Sequence, residues 1–172
     1  MNSTQIQRFL RGHTLTRSYF VGVFPSDQLP PEGTPKLPCC MVCNTDPADR
    51  PGQHWVALYF DSDGIGEYFD SYGQQPTVPS IQSFLDHNSR AQRYNNRTVQ
   101  GHMSSACGQY CVYFLLLRCA GLPMNRIVCG LPTISLVSDC YVTAFVNKHA
   151  RLNTETFETD IVVQQLCTAF GL

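Results

Sequence analysis

The sequence predicts one α+β domain over residues 1–172. Three observations carry this. Short apolar runs bounded by proline- and glycine-rich turns crowd the first half, helical spacing marks both ends, and no linker divides the chain. A chain of 172 residues, 43% hydrophobic and 15% charged, can bury a core without staples.

The elements follow in order. "STQIQRFLRG" offers a capping serine or threonine and a short amphipathic helix ended by Gly12. "YFVGVF" reads as a strand closed by Pro25, and "PSDQLPPEGTPKLP" as a loop. "CCMVCNT" is a short apolar strand before the turn-rich "DPADRPGQ". "HWVALYFD" is apolar at nearly every position, which suits a central strand covered on both faces. "SDGIG" is a tight turn, and "EYFDSYG" returns as the second strand of a hairpin. "VPSIQSFLDHN" has helical spacing, with Ile81, Phe84 and Leu85 on one side, and "RTVQG" reads as a final edge strand. The run from Cys107 to Cys119 is a buried helix; "ISLVSDCYVTAFVNKHA" and "FETDIVVQQLCTAF" are two more.

A formal net charge of −1 supplies no global field toward nucleic acid or an anionic membrane. The longest apolar run, Cys111 to Leu117, is too short to span a bilayer. The N-terminus lacks the basic-then-apolar order of a secretory signal. Nine cysteines, an odd count, point to reduced thiols in an intracellular compartment.

Cys107, in "SSACGQYC", stands where the buried helix begins, after small residues able to cap it. A helix N-terminus or an adjacent imidazolium lowers a thiol pKa. Gly108 would let a substrate backbone pass near. The same text suits a core cysteine at a helix start, and local sequence leaves both readings open. His54 lies at the mouth of the apolar strand, before Trp55, the only tryptophan. Across the hairpin, Asp70 ends the partner strand, so the two can be neighbours and the carboxylate can orient the imidazole. Gln100, seven residues before Cys107, offers an amide donor for an oxyanion, though alone it reads as a solvated glutamine. Cys40 and Cys43 have metal-ligand spacing, but a structural zinc wants two such pairs and no second CxxC exists. No metal site is assigned.

Together "GQHWVALYFD", "YFDSYG", "VQG" and "SSACGQYC", in that order, resemble the adenovirus-type cysteine protease family (adenain). That family shares a clan with SUMO and ubiquitin-like-protein proteases. The resemblance covers about Tyr19 to Leu117. It implies a papain-like, circularly permuted fold, with a central mostly antiparallel sheet flanked by helices. It also implies His54 as base, Asp70 as its orienting acid, Cys107 as nucleophile and Gln100 in the oxyanion hole. Cys111 matches a second family cysteine and is read as core. A narrow cleft partly roofed by Trp55 would admit glycine beside the scissile bond, in viral precursors during virion maturation. The expected location is the host nucleus or the virion. SUMO- or ubiquitin-like deconjugation is the alternative, and an inactive modifier-binding pseudo-protease a third reading. Asp70 departs from the glutamate usual in mammalian adenovirus enzymes, and the chain is shorter and weakly acidic where those are basic.

The family is activated by a short viral peptide, which can be tethered by a disulfide to a cysteine between the acid and the glutamine, and by DNA. Here Ser71 to Val99 contains no cysteine. No cofactor is therefore required, any activating peptide is held non-covalently, and DNA acts weakly or not at all. Twelve basic against 13 acidic residues leave little surplus for phosphates, apart from Arg90, Arg93 and Arg97.

Overall fold

The computed structural model describes residues 1–31 and 36–152. Helix α1 (Ser3–Gly12) precedes four strands: β1 (Phe20–Phe24), β2 (Cys39–Asn44), β3 (Trp55–Phe60) and β4 (Ile65–Phe69). Helix α2 (Pro79–Asn88) and strand β5 (Ala91–Tyr94) follow, then α3 (Cys107–Cys119), α4 (Met124–Cys129) and α5 (Ser135–Leu152). The strands lie in sequence order, β1-β2-β3-β4-β5, in one sheet.

Strand periodicity splits the core in two. In β2, Cys39, Met41 and Cys43 face α2, with Val56, Leu58 and Phe60 of β3 beside them. Cys40 and Val42 face α3, with Ala57, Tyr59 and Phe69. Alternation therefore places Cys40 and Cys43 on opposite faces, where they cannot converge on one ion. Cys40 instead lies 3.9 Å, sulfur to sulfur, from Cys119. Helix α3 is buried on every side from Tyr110 to Leu117, against β3, α1, α4 and α5, which explains its lack of a polar stripe. Burying each of its large apolar side chains contributes about 1.5–3 kcal/mol. The helix is an axle through the molecule.

Several expectations are corrected. The sheet is mixed rather than mostly antiparallel: β2–β3 and β3–β4 are antiparallel, while the outer pairings β1–β2 and β4–β5 are parallel. The α1 cap is Asn2, whose side chain accepts from Gln5 N–H while Gln5 reaches back to Asn2 N–H. "RTVQG" is not a strand. The edge strand is the earlier "AQRY", whose four residues are all exposed and so lack an apolar signal. Residues 97–100 run extended beside the end of β4, with Val99 and Gln100 N–H both donating to Ser71 C=O. The short helix α4 had no counterpart in the sequence reading. The final expected helix, "FETDIVVQQLCTAF", lies outside the described residues. None of the described helices is long and apolar enough to cross a membrane.

Candidate active site

The hairpin places the first two groups. Ala57 pairs with Phe69, so His54, just before β3, and Asp70, just after β4, meet past the paired ends. His54 Nε2 is 2.8 Å from Asp70 Oδ1. Asp70 is itself held: Oδ1 also accepts from Tyr72 N–H at 2.8 Å, and the Asn95 side chain brackets the Asp70 backbone through bonds of 2.9 and 2.7 Å. The competing acids are engaged elsewhere. Asp61 closes the hairpin turn, and Glu67 pairs at 2.7 Å with Arg118, near the opposite end of α3 from Cys107.

With Nε2 committed to Asp70, the other ring nitrogen is left for Cys107, to which the imidazole is also hydrogen-bonded. Burial disfavours the charged imidazole, but the hydrogen bonds to Asp70 and Cys107 and their charges outweigh it, raising His54 to about 9. Burial pushes the Cys107 thiol up. Hydrogen bonds from His54 and the Trp55 and Gly108 backbone, with the imidazolium charge, bring it below its ordinary value. Both shifts favour the thiolate and imidazolium forms of the pair. Cys111, one turn on, has its thiol held protonated by burial. It is a core residue, as read.

Helix α3 opens without a side-chain cap, contrary to expectation, because Ala106 holds the N-cap position. Its first N–H groups stay outside the helical ladder, as any helix start requires, and that of Gly108 is hydrogen-bonded to the Cys107 sulfur.

Gln100 is buried, not solvated. Its Oε1 accepts from Ser71 Oγ at 2.7 Å; its Nε2 donates to Ser104 C=O at 2.8 Å and to Tyr72 Oη at 3.3 Å. Gly73 lets this segment approach. It adopts φ +69°, and a Cβ there would lie 2.5 Å from the Arg97 carbonyl carbon.

The two expected substrate contacts fare differently. Trp55 is half-buried and lines a groove with Met1, Asn44 and Pro51, its indole N–H donating to Met1 C=O at 3.2 Å. Gly108 is corrected: it is buried, and a Cβ there would meet Met1 Cβ at 3.1 Å and Ile6 Cδ1 at 3.2 Å. It gives room to α1, not to a substrate.

The sequence reading missed Ser71, Tyr72 and Asn95. The text "FDSYG" was a signal for the first two, because residues just after a strand-end acid share its turn. Tyr72 covers His54, ring centroids 4.9 Å apart, and His102 stacks on Tyr72.

No family model matches the sequence. A putative thiol protease, R355, of Acanthamoeba polyphaga mimivirus is 29% identical over 120 residues, covering 64% of this chain and 39% of that protein. The chain thus spans well under half of this relative's length. Among solved structures, ChlaDub1 from Chlamydia trachomatis superposes with a TM-score of 0.52 at 19% identity, over 70% of this chain and 63% of that one. The ASFV pS273R protease gives 0.47 at 23%, over 63% of this chain and 44% of that one. The architecture is a mixed α+β fold shared with ChlaDub1.

Proposed function

We propose that this chain is a cysteine endopeptidase. The observation that carries the reading is the line Asp70–His54–Cys107, with the Gln100 amide beside it. The Cys107 thiolate attacks the scissile carbonyl, and the oxyanion is held by the Cys107 N–H and the Gln100 amide. The Gln100 N–H now on Tyr72 is the longer bond and the one free to turn. His54⁺ then protonates the leaving amine, and neutral His54 activates the water that hydrolyses the thioester. Asp70 fixes the tautomer throughout. The mimivirus relative's name supports thiol protease chemistry.

The finer reading is adenovirus-type: cleavage beside glycine in viral precursor proteins, with Trp55 narrowing the cleft, in the nucleus or virion. Deconjugation of SUMO- or ubiquitin-like modifiers uses the same glycine-selecting chemistry and is the runner-up. Any activating peptide is held non-covalently. In support, the outer edge of β5 has no strand partner among the described residues, and a groove of about 730 Å³ runs between it and α4. DNA contributes little, since Arg97 already donates to three carbonyls, those of Val128, Leu131 and Pro132. The test is a peptide library together with SUMO and ubiquitin fusions, using reduced protein with and without DNA. Selection of glycine next to the cut is the expected result. Preference for bulky or basic residues there would overturn the specificity, and no turnover with thiol intact would overturn the reading.

A further inference from the structure

Both the backbone and the side chain of Gln100 are tied to one residue. Ser71 C=O accepts from Val99 N–H at 2.9 Å and Gln100 N–H at 3.1 Å, while Ser71 Oγ–H donates to Gln100 Oε1 at 2.7 Å. Both side chains are about 1% exposed, so water does not replace these bonds. A carboxamide presents an acceptor at one end and donors at the other, and its two ends differ little in shape. Only the amide whose oxygen faces Ser71 turns its NH₂ toward Ser104 C=O and the cleft. The reversed amide would set its oxygen against the Ser104 carbonyl and carry a lone pair to the place where negative charge develops.

We infer that Ser71 is a positioning residue for the proposed reaction, setting the orientation of the Gln100 amide so that its donor faces the oxyanion. The inference rests on the reading of Gln100 given above. Ser71 adjoins Asp70, so one turn after β4 places both halves of the chemistry: Asp70 sets the imidazole and Ser71 the oxyanion donor. Removing the hydroxyl leaves Gln100 Oε1 a buried acceptor without its donor, and the side chain gains reason to rotate away. The imidazole and thiolate are untouched by that change.

The experiment is a double-mutant cycle of wild type, Ser71→Ala, Gln100→Ala and the double variant, with kcat and KM measured separately and Cys107 alkylation followed in parallel. Ser71→Ala is expected to lower kcat by about tenfold or more, up to the roughly 10²–10³-fold that loss of one oxyanion donor costs, with KM within about twofold. Alkylation of Cys107 should keep its wild-type rate and pH profile. In the Gln100→Ala background the serine substitution should add nothing. Unchanged kcat in Ser71→Ala, or losses that multiply in the double variant, would overturn the inference while leaving Gln100 in place. Full activity in Gln100→Ala would overturn the oxyanion assignment and this inference with it. The amide of Gln100 is also read without turnover, by ¹⁵N NMR: its side-chain protons should exchange slowly in wild type and faster in Ser71→Ala, and equal rates would overturn the proposal. Should the alanine variant not fold, Ser71→Cys keeps the volume while donating only weakly and is read by the same outcomes.

Discussion

His54 Nε2 and Asp70 Oδ1 lie 2.8 Å apart although neither residue belongs to a paired strand. The ends of a hairpin hold them together, and that bond decides which ring nitrogen remains for Cys107. The imidazole so held is the first of the neighbours that lower the Cys107 thiol against its burial.

Cys107→Ala is expected to abolish hydrolysis with the fold retained, and Cys111→Ala to keep most of it. Alkylation at neutral pH followed by peptide mapping should label Cys107 ahead of the buried Cys39, Cys43 and Cys111, whose thiols burial holds up, and of Cys40, held up first by its hydrogen bond to Cys119 and then by burial. Equal labelling of Cys107 and Cys111 would contradict the assignment.

The pH profile carries a sign. The proposed mechanism needs the Cys107 thiolate, lost on the acid side, and the His54 proton, lost on the alkaline side as pH rises through about 9. Asp70→Asn removes the partner that raises His54, so the alkaline limb of kcat/KM should move to lower pH, with a rate loss of about 10²–10⁴. An alkaline limb unmoved by that substitution would refute the pairing as functional.

Acid stability should be set elsewhere. His13 Nε2 and His149 Nδ1 lie 3.3 Å apart, both buried, and burial lowers each to about 4, helped by mutual charge at His13 and by Lys148 at His149. A histidine lowered below its unfolded value of 6.5 contributes stability that is present above 6.5. That stability is lost progressively as pH falls toward 4. Each unit of lowering is worth about 1.4 kcal/mol. Tm should therefore drop between pH 7 and 4.5, and less steeply in His149→Gln. Parallel curves would refute the role of this pair.

The ion pair between β4 and α3 should matter to stability more than to turnover. Glu67 is almost fully buried beneath Arg118, whose guanidinium also lies 4.4 Å over the Tyr59 ring. Glu67→Ala leaves that cation without its carboxylate and should cost on the order of 3 kcal/mol. Urea unfolding reads the loss; a change under about 0.5 kcal/mol would show the cation is satisfied by Tyr59 and water.

The apolar strands and the long helix were legible because burial on every side leaves an unbroken apolar run, in β2 and β3 on both faces and in α3 all round. The meeting of His54, Asp70 and Cys107 was legible because each sits at an element's end, where chain order and hairpin pairing predict proximity; Gln100 lies in the loop before α3 and was picked out by the family resemblance. β5 was not, because an exposed edge strand carries polar residues without alternation, as Gln92 and Arg93 do. α4 is too short to show a helical period. Gly108 was misread because glycine signals close approach without saying by what; here the neighbour is Met1. Ser71 passed unnoticed because a turn serine is usually solvated, and only the path of residues 97–100 buries it.

The axle-like burial of α3 also bears on how the molecule breathes. Amide protons from Val112 to Leu117 are covered by the sheet and by three helices, so they can meet solvent only when the whole domain opens. Those of β5, with all four residues exposed, need only local fraying. Deuterium should thus enter the sheet's rim within the dead time of an ordinary experiment and reach the helix carrying Cys107 last. The slowest amides in the protein would then be a direct gauge of its global unfolding free energy.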